Sequence, residues 1–194
     1  MRENARKNVL GSAEFRAVVE DIRPSLDGPG RDAQMEYALV GGLAVAAYAN
    51  PPVTVDVDIL LKSMRPREIF ESCKSRFRPR WRVTQFGFPM RRSGPGKPSH
   101  GVRLSREEPF AAVVDIILTG ADRFLQSAVD HAKWVIVQPG LELRVITVED
   151  LIVMKMISGR EKDNDDVAAL SALPDLDDEY IQAALDALGW YDLD

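Results

Sequence analysis

The spacing of apolar residues along the chain predicts helices and strands in alternation. Residues 12–26 repeat apolar positions at intervals of three and four residues, which is typical of an amphipathic helix. Short β-branched runs predict strands, and the segments between several of them have helical spacing. The predicted strands are 37–40, 53–62, 81–86, 102–104, 111–118 and 141–146, and the further predicted helices are 43–49, 66–75, 121–134, one from 148, 162–170 and 177–188.

The strand predicted at 53–62 carries charge where an ordinary half-buried strand would not. Its apolar residues alternate with Thr54, Asp56 and Asp58, which therefore share the opposite face. Two carboxylates at neighbouring positions on one face repel each other unless a positive group lies between them. A divalent cation such as Mg²⁺ fits, because it binds carboxylate oxygens and keeps open positions for phosphate and water.

A glycine pair, Gly41-Gly42, stands between the strand predicted at 37–40 and the helix that follows. A tight turn that leads into a helix N-terminus presents backbone N–H groups to an anion, so this position suits phosphate. The alternative is that both glycines serve helix–strand packing alone. A phosphate-binding turn close in sequence to metal-binding carboxylates favours phosphoryl or nucleotidyl transfer.

Asp115 is a single charge inside the apolar strand predicted at 111–118. A buried carboxylate is costly unless it is paired or bound to a metal. One interpretation is a salt bridge to one of the arginines. The other is a third member of the carboxylate group, which helps to bind the catalytic metal or takes the proton from the attacking hydroxyl, as in two-metal sites.

These motifs together resemble the polymerase-beta-type nucleotidyltransferase superfamily. The residues that carry the resemblance are Gly41-Gly42, Thr54-x-Asp56-x-Asp58 and, on a later strand, Asp115. The helical tail is similar to that of the minimal and abortive-infection-type branch, which includes the toxins of some bacterial toxin–antitoxin pairs. Its matching residues are Glu149, Asp150, Lys155, Arg160, Lys162, Asp163 and Asp166.

The resemblance implies an α+β nucleotidyltransferase fold, in which helices flank a mixed central β-sheet. It places the nucleotidyltransferase core, with its N-terminal helix, at 1–146, and a short helical C-terminal tail packed on that core at 147–194. One position departs from the family pattern: Pro52 stands where the branch commonly has an arginine that would contact phosphate or brace the loop.

The implied activity is metal-dependent transfer of a nucleoside monophosphate from a nucleoside triphosphate to a hydroxyl group of RNA or protein. Asp56, Asp58 and Asp115 would be both the catalytic residues and the ligands of Mg²⁺ or Mn²⁺. The residues that would bind the nucleotide are Gly41, Gly42, Thr54, Lys155 and Arg160. An antitoxin partner follows from the same resemblance. Two alternatives stay open: a binding module that keeps the fold with weakened activity, and a nucleotidyltransferase that modifies a small molecule such as an antibiotic.

Charge and composition narrow the class of protein further. The 194-residue chain has a net charge of −5, so it is not a generally basic nucleic-acid binder. Basic residues nevertheless dominate from 65 to 106, and the Gly- and Pro-rich loop at 90–100 is either a solvated tip or a clamp for triphosphate or RNA. A single cysteine, no signal-peptide pattern and no apolar run of membrane-spanning length predict a cytoplasmic protein without a membrane partner.

Overall fold

The fold is described from a computed structural model, in which residues 12–27, 35–49, 56–88 and 99–189 are placed. Within these ranges the chain forms seven strands and seven α-helices, with one 3-10 turn at Glu161–Asp163. The strands are β1 Tyr37–Val40, β2 Asp56–Leu61, β3 Arg82–Phe88, β4 Ser99–Arg106, β5 Ala112–Leu118, β6 Lys133–Gln138 and β7 Leu141–Val145. The helices are α1 Ser12–Asp27, α2 Gly41–Tyr48, α3 Pro66–Phe77, α4 Arg123–His131, α5 Val148–Ser158, α6 Asn164–Ser171 and α7 Asp178–Ala187.

All seven strands of the described chain join one mixed sheet in the order β3-β4-β5-β2-β1-β7-β6. Strands β2 and β5 are parallel neighbours at its centre, and β1 and β7 are also parallel. The remaining neighbours pair antiparallel. The α+β prediction with a mixed central sheet is therefore confirmed.

The two faces of the central strands differ in chemistry because side chains alternate along each strand. Val57 and Ile59 are buried and line the same space as Ile22 of α1. Asp56 and Asp58 point to the opposite face, which α2 and α5 border. The face of β2 toward α1 is thus apolar, and its opposite face carries the two carboxylates.

Two elements differ from the sequence-based prediction. The helix predicted at 121–134 ends at His131, and Lys133–Gln138 forms edge strand β6, paired antiparallel with β7. The run Val135-Ile136-Val137 is β-branched, and pairing with β7 decides in favour of strand over helix. Helix α2 begins at Gly41, two residues earlier than predicted, so no separate turn intervenes between β1 and α2.

Helix α5 of the tail contacts both α6 and α7, and α5 and α6 also contact α2. Thr147 caps α5, since its hydroxyl oxygen accepts a hydrogen bond from the backbone N–H of Asp150. Asp150 is fully buried and accepts a 2.5 Å hydrogen bond from the hydroxyl of Tyr180 in α7. The boundary predicted after residue 146 stays a prediction; it falls between β7 and α5. No helix within the described ranges is both long and apolar enough to span a membrane.

Candidate active site

Three carboxylates meet on the charged face of the central strands. In the parallel pair, Asp58 of β2 lies directly beside Asp115 of β5. Asp56 precedes Asp58 by two residues and so shares its face. One carboxylate oxygen from each of the three residues lies within 4.8 Å of the others. The structure therefore brings together all three residues that the sequence singled out as one acidic group.

The burial and crowding of the carboxylates raise the pKa of Asp58. Burial first, and then the neighbouring charges of Asp56 and Asp115, raise the pKa of its carboxyl group to about 7. Arg160 and Lys155 partly oppose the shift. Within the described residues, the side chain of Asp58 accepts no hydrogen bond. A cation between the carboxylates would favour their ionised forms and so oppose this rise in pKa.

The donor set fits a hard divalent cation. Carboxylate oxygens are the ligands that Mg²⁺ and Mn²⁺ prefer, and three of them here are close enough to share an ion. Within the described part of the chain, neither histidine nor the single cysteine belongs to this group, which disfavours zinc. The three carboxylates could therefore hold a divalent metal ion.

Asp115 is at the same time held by an arginine. Arg103, its neighbour across the β4–β5 pair, donates from Nε to Oδ1 at 2.7 Å and from Nη2 to Oδ2 at 2.6 Å. These hydrogen bonds to Asp115 raise the pKa of the Arg103 guanidinium. The guanidinium also lies 5.4 Å from the ring centre of Phe86. Both interpretations of Asp115 thus hold in the geometry, because it joins the carboxylate group and also forms a salt bridge.

The backbone of Gly41, at the start of α2, lies close to the carboxylate of Asp58. Its φ of +69° lies in the left-handed region, and a Cβ atom there would overlap the carboxylate of Asp58. The residue at the N-cap, Val40, offers no side-chain hydrogen bond to the first turn of the helix. The first N–H groups of α2 therefore have no side-chain cap beside the acidic group.

A cleft of about 400 Å³ opens over the carboxylates. Two of the three, Asp58 and Asp115, form part of its wall, together with Gly41. Two cationic residues from the tail, Lys155 and Arg160, line the same cleft; their role in nucleotide binding stays a prediction. The cleft is also bordered by Arg103, Phe86 and the apolar residues Val40, Ile117, Leu125, Leu151, Met154 and Ile157.

The two cations are held in place by one carboxylate, Asp163. It accepts hydrogen bonds from Lys155 Nζ at 3.0 Å, Ser158 Oγ at 2.6 Å and Arg160 Nε at 2.6 Å. Burial acts to raise the pKa of Asp163, but these hydrogen bonds outweigh it and lower the pKa. Lys155 is buried and also bonds Asp166 at 2.5 Å. Gly159 ends α5 in the left-handed conformation, which turns Arg160 toward the cleft.

Several predicted residues lie elsewhere or outside the described ranges. Gly42 lies in the first turn of α2 and is not among the residues that line the cleft. Thr54, Pro52 and most of the loop predicted at 90–100 lie outside the described residues. Sequence reasoning missed the pairing of Arg103, although alternation along β4 already set it on the face opposite Val102 and Leu104.

Comparison with known proteins supports the fold. No protein-family model matches the sequence, and no curated protein is significantly similar to it. Among solved structures, an antigenic nucleotidyltransferase-like protein from Paracoccidioides brasiliensis aligns with a TM-score of 0.55 and 18% identity, over 94% of this chain and 90% of that one. A candidate nucleotidyltransferase from Thermotoga maritima aligns with a TM-score of 0.55 and 14% identity, over 84% of this chain and 96% of that one.

These similarities establish the fold but do not identify the reaction or the substrate. The chain has the fold of nucleotidyltransferase-like proteins. A lincosamide antibiotic adenylyltransferase with bound lincomycin aligns less well, with a TM-score of 0.49 and 15% identity over 85% of this chain and 99% of that one. At such low identity, conclusions about substrate depend on the side chains of this chain.

Proposed function

We propose that this protein is a metal-dependent nucleotidyltransferase. The observation that carries the proposal is the approach of Asp56, Asp58 and Asp115 to within 4.8 Å, with Asp58 and Asp115 on the wall of a cleft of about 400 Å³. The three carboxylates would hold Mg²⁺ or Mn²⁺, which supplies Lewis-acid stabilisation of the phosphate oxygens. A nucleoside triphosphate is the substrate that combines these requirements with a positively charged cleft wall.

The nucleotide's phosphates would lie between the carboxylate group and the cationic side of the cleft. Gly41 opens α2 there, and the free N–H groups of a helix start attract anions. Lys155 and Arg160, which line the same cleft, would supply positive charge. Asp163 orients both side chains, so phosphate meets charges that are already in position.

The reaction would be an in-line displacement at the α-phosphorus. The acceptor hydroxyl oxygen would form a bond to that phosphorus, and the bond from the phosphorus to the pyrophosphate oxygen would break. Asp115 is the carboxylate that would receive the hydroxyl proton, or else help hold the metal. The acceptor is a hydroxyl group of RNA or protein.

The identity of the biological partners rests on the sequence resemblance alone. A toxin role with an antitoxin partner stays a prediction from the tail motif. Two residues of that motif, Lys155 and Arg160, line the cleft, and Asp163 accepts hydrogen bonds from both. One specific observation favours a second function: the salt bridge from Arg103 neutralises Asp115 and would suit a non-catalytic nucleotide-binding module.

A labelling experiment tests the proposal and separates these two functions. The purified protein would be incubated with each α-³²P-labelled nucleoside triphosphate, Mg²⁺ or Mn²⁺, and either total RNA or cell lysate. We expect label to appear on one acceptor class, and to disappear with EDTA or in the Asp56→Ala variant. Nucleotide binding without transfer under all these conditions would favour the binding module, and transfer that persists in Asp56→Ala would contradict the proposal.

A further inference from the structure

Arg103 both binds a proposed metal ligand and lines the cleft. It occupies both oxygens of Asp115, one of the three proposed metal ligands. It also faces the cleft that would receive phosphate, and 47% of its side chain is exposed. A guanidinium group binds carboxylate and phosphate with the same fork of N–H donors, so the two anions compete for it.

We propose that Arg103 is a counter-ion that keeps divalent metal off Asp115 until a polyphosphate draws the guanidinium away. The inference rests on the proposed nucleotidyltransferase function. Arg103 is a positioning residue in this scheme, since it acts through Asp115 and the phosphates of the substrate. The consequence is that metal and nucleotide assist each other's binding, because each one relieves the obstacle to the other.

Arg103 and a divalent cation are alternative positive partners for Asp115. Without an added cation, the group contains three carboxylates within 4.8 Å, and the Arg103 guanidinium, in direct contact with Asp115, offsets part of their repulsion. A divalent cation would replace that charge with a larger one and would repel Arg103. The released guanidinium would then be near the cationic side of the cleft only if an anion were bound there.

The surroundings of Arg103 allow such a movement without loss of its other support. Its guanidinium lies against the ring of Phe86, a contact that tolerates sliding because the ring face is a broad acceptor of positive charge. Phe86 fits only because residue 101 directly opposite is glycine, where a Cβ atom would overlap the ring. A rotation of Arg103 away from Asp115 would therefore keep its guanidinium near the ring of Phe86.

Two binding measurements on the full chain test the proposal. The first titrates Mn²⁺ alone, and the second titrates inorganic tripolyphosphate in EDTA, each by calorimetry at pH 8. In Arg103→Gln we expect Mn²⁺ to bind about fivefold more tightly, as the competing charge is gone, and tripolyphosphate to bind about fivefold more weakly. Arg82→Gln is the matched control: this exposed arginine lies on the neighbouring strand β3, opposite Ser105, and should change neither affinity.

The opposite signs of the two changes distinguish this role from a structural one. A residue that only stabilised the fold would weaken both affinities or leave both unchanged. Arg103→Lys keeps the charge but not the two parallel hydrogen bonds, so it should shift both affinities in the same directions by smaller factors. Mn²⁺ affinity that is unchanged or weaker in both Arg103 variants would overturn the inference while the nucleotidyltransferase proposal stands. Mn²⁺ binding that survives Asp58→Asn undiminished would overturn both.

Discussion

The backbone of Gly41 lies so close to the carboxylate of Asp58 that no side chain fits between them. The start of α2 and the centre of β2 are thereby joined at one point, where the helix N-terminus meets the acidic group. The sequence predicted a phosphate-binding or packing role for the Gly41-Gly42 pair, and this contact explains why residue 41 is glycine. It also makes the glycine a sensitive position for tests of the site.

Gly41→Ala should damage both stability and metal binding. The substitution adds the strain of a left-handed alanine, about 1 kcal/mol, and also overlaps Asp58, which adds about 2 kcal/mol or displaces the carboxylate. Urea unfolding and Mn²⁺ titration measure the two effects. Gly140→Ala is the control, because Gly140 has φ +72° with no heavy atom within 4 Å of the added Cβ. Equal losses in the two variants would show that the approach to Asp58 has no consequence.

Asp58→Asn should stabilise the metal-free protein at high pH. The pKa of Asp58 is raised from 3.8 to about 7, so protonation of Asp58 stabilises the fold fully below about pH 3.8, and this stabilisation is lost as pH rises through 7. The amide avoids this loss, and we expect the variant to exceed the natural protein by about 2 to 4 kcal/mol at pH 8. Urea unfolding in EDTA from pH 4 to pH 8 measures the difference, which should shrink toward pH 4.

Bound metal should make the natural protein more stable than Asp58→Asn. Saturating Mn²⁺ should stabilise the natural protein and have little effect on Asp58→Asn, since binding to the folded state alone adds to stability. A stability difference in EDTA that does not change with pH would contradict the electrostatic account of Asp58.

Much of the acidic site follows from the alternation of side chains, and its long-range partners do not. The period of two residues puts Asp56 and Asp58 on one face in any strand, so their proximity is a local property. The position of Asp115 beside Asp58 depends on the register of a parallel pair whose strands are about sixty residues apart, which the sequence alone leaves open. The resemblance to a family supplied what local spacing could not.

The pairing of Arg103 and the edge strand β6 show the same limit. Alternation orients Arg103 but does not select Asp115 from the other carboxylates, because the register between β4 and β5 decides which residues face each other. The end of the helix predicted at 121–134 has apolar residues compatible with helix or strand, and the open edge of β7 decides in favour of strand.

Asp163→Asn should loosen the cationic side of the cleft. The carboxylate accepts bonds from Lys155, Ser158 and Arg160, and its removal leaves Lys155 buried with Asp166 as its remaining anion. We expect a loss of about 3 kcal/mol in the free energy of unfolding at pH 7. Because the pKa of Asp163 is lowered in the fold, its ionised carboxylate stabilises the fold above the ordinary titration range of an aspartate. This stabilisation is lost as the pH falls through the lowered pKa, so the difference in the free energy of unfolding should diminish in acid.

An exposed pair provides the control for that substitution. Asp130→Asn removes one partner of Lys62 at the surface and should cost less than about 1 kcal/mol. Nucleotide affinity should fall in Asp163→Asn and not in Asp130→Asn. A similar nucleotide affinity in both variants would show that the orientation of Lys155 and Arg160 by Asp163 has no effect on the cleft.

Anomalous X-ray diffraction from crystals that contain Mn²⁺ and a nucleoside triphosphate tests the metal site most directly. The account predicts an anomalous peak about 2.1 Å from carboxylate oxygens of Asp56, Asp58 and Asp115, with Arg103 moved from Asp115 toward the phosphates. The same peak should be absent from crystals of Asp58→Asn. A peak elsewhere on the chain, or none while nucleotide is bound in the cleft, would contradict the assignment of these three residues as the metal ligands of a nucleotidyltransferase.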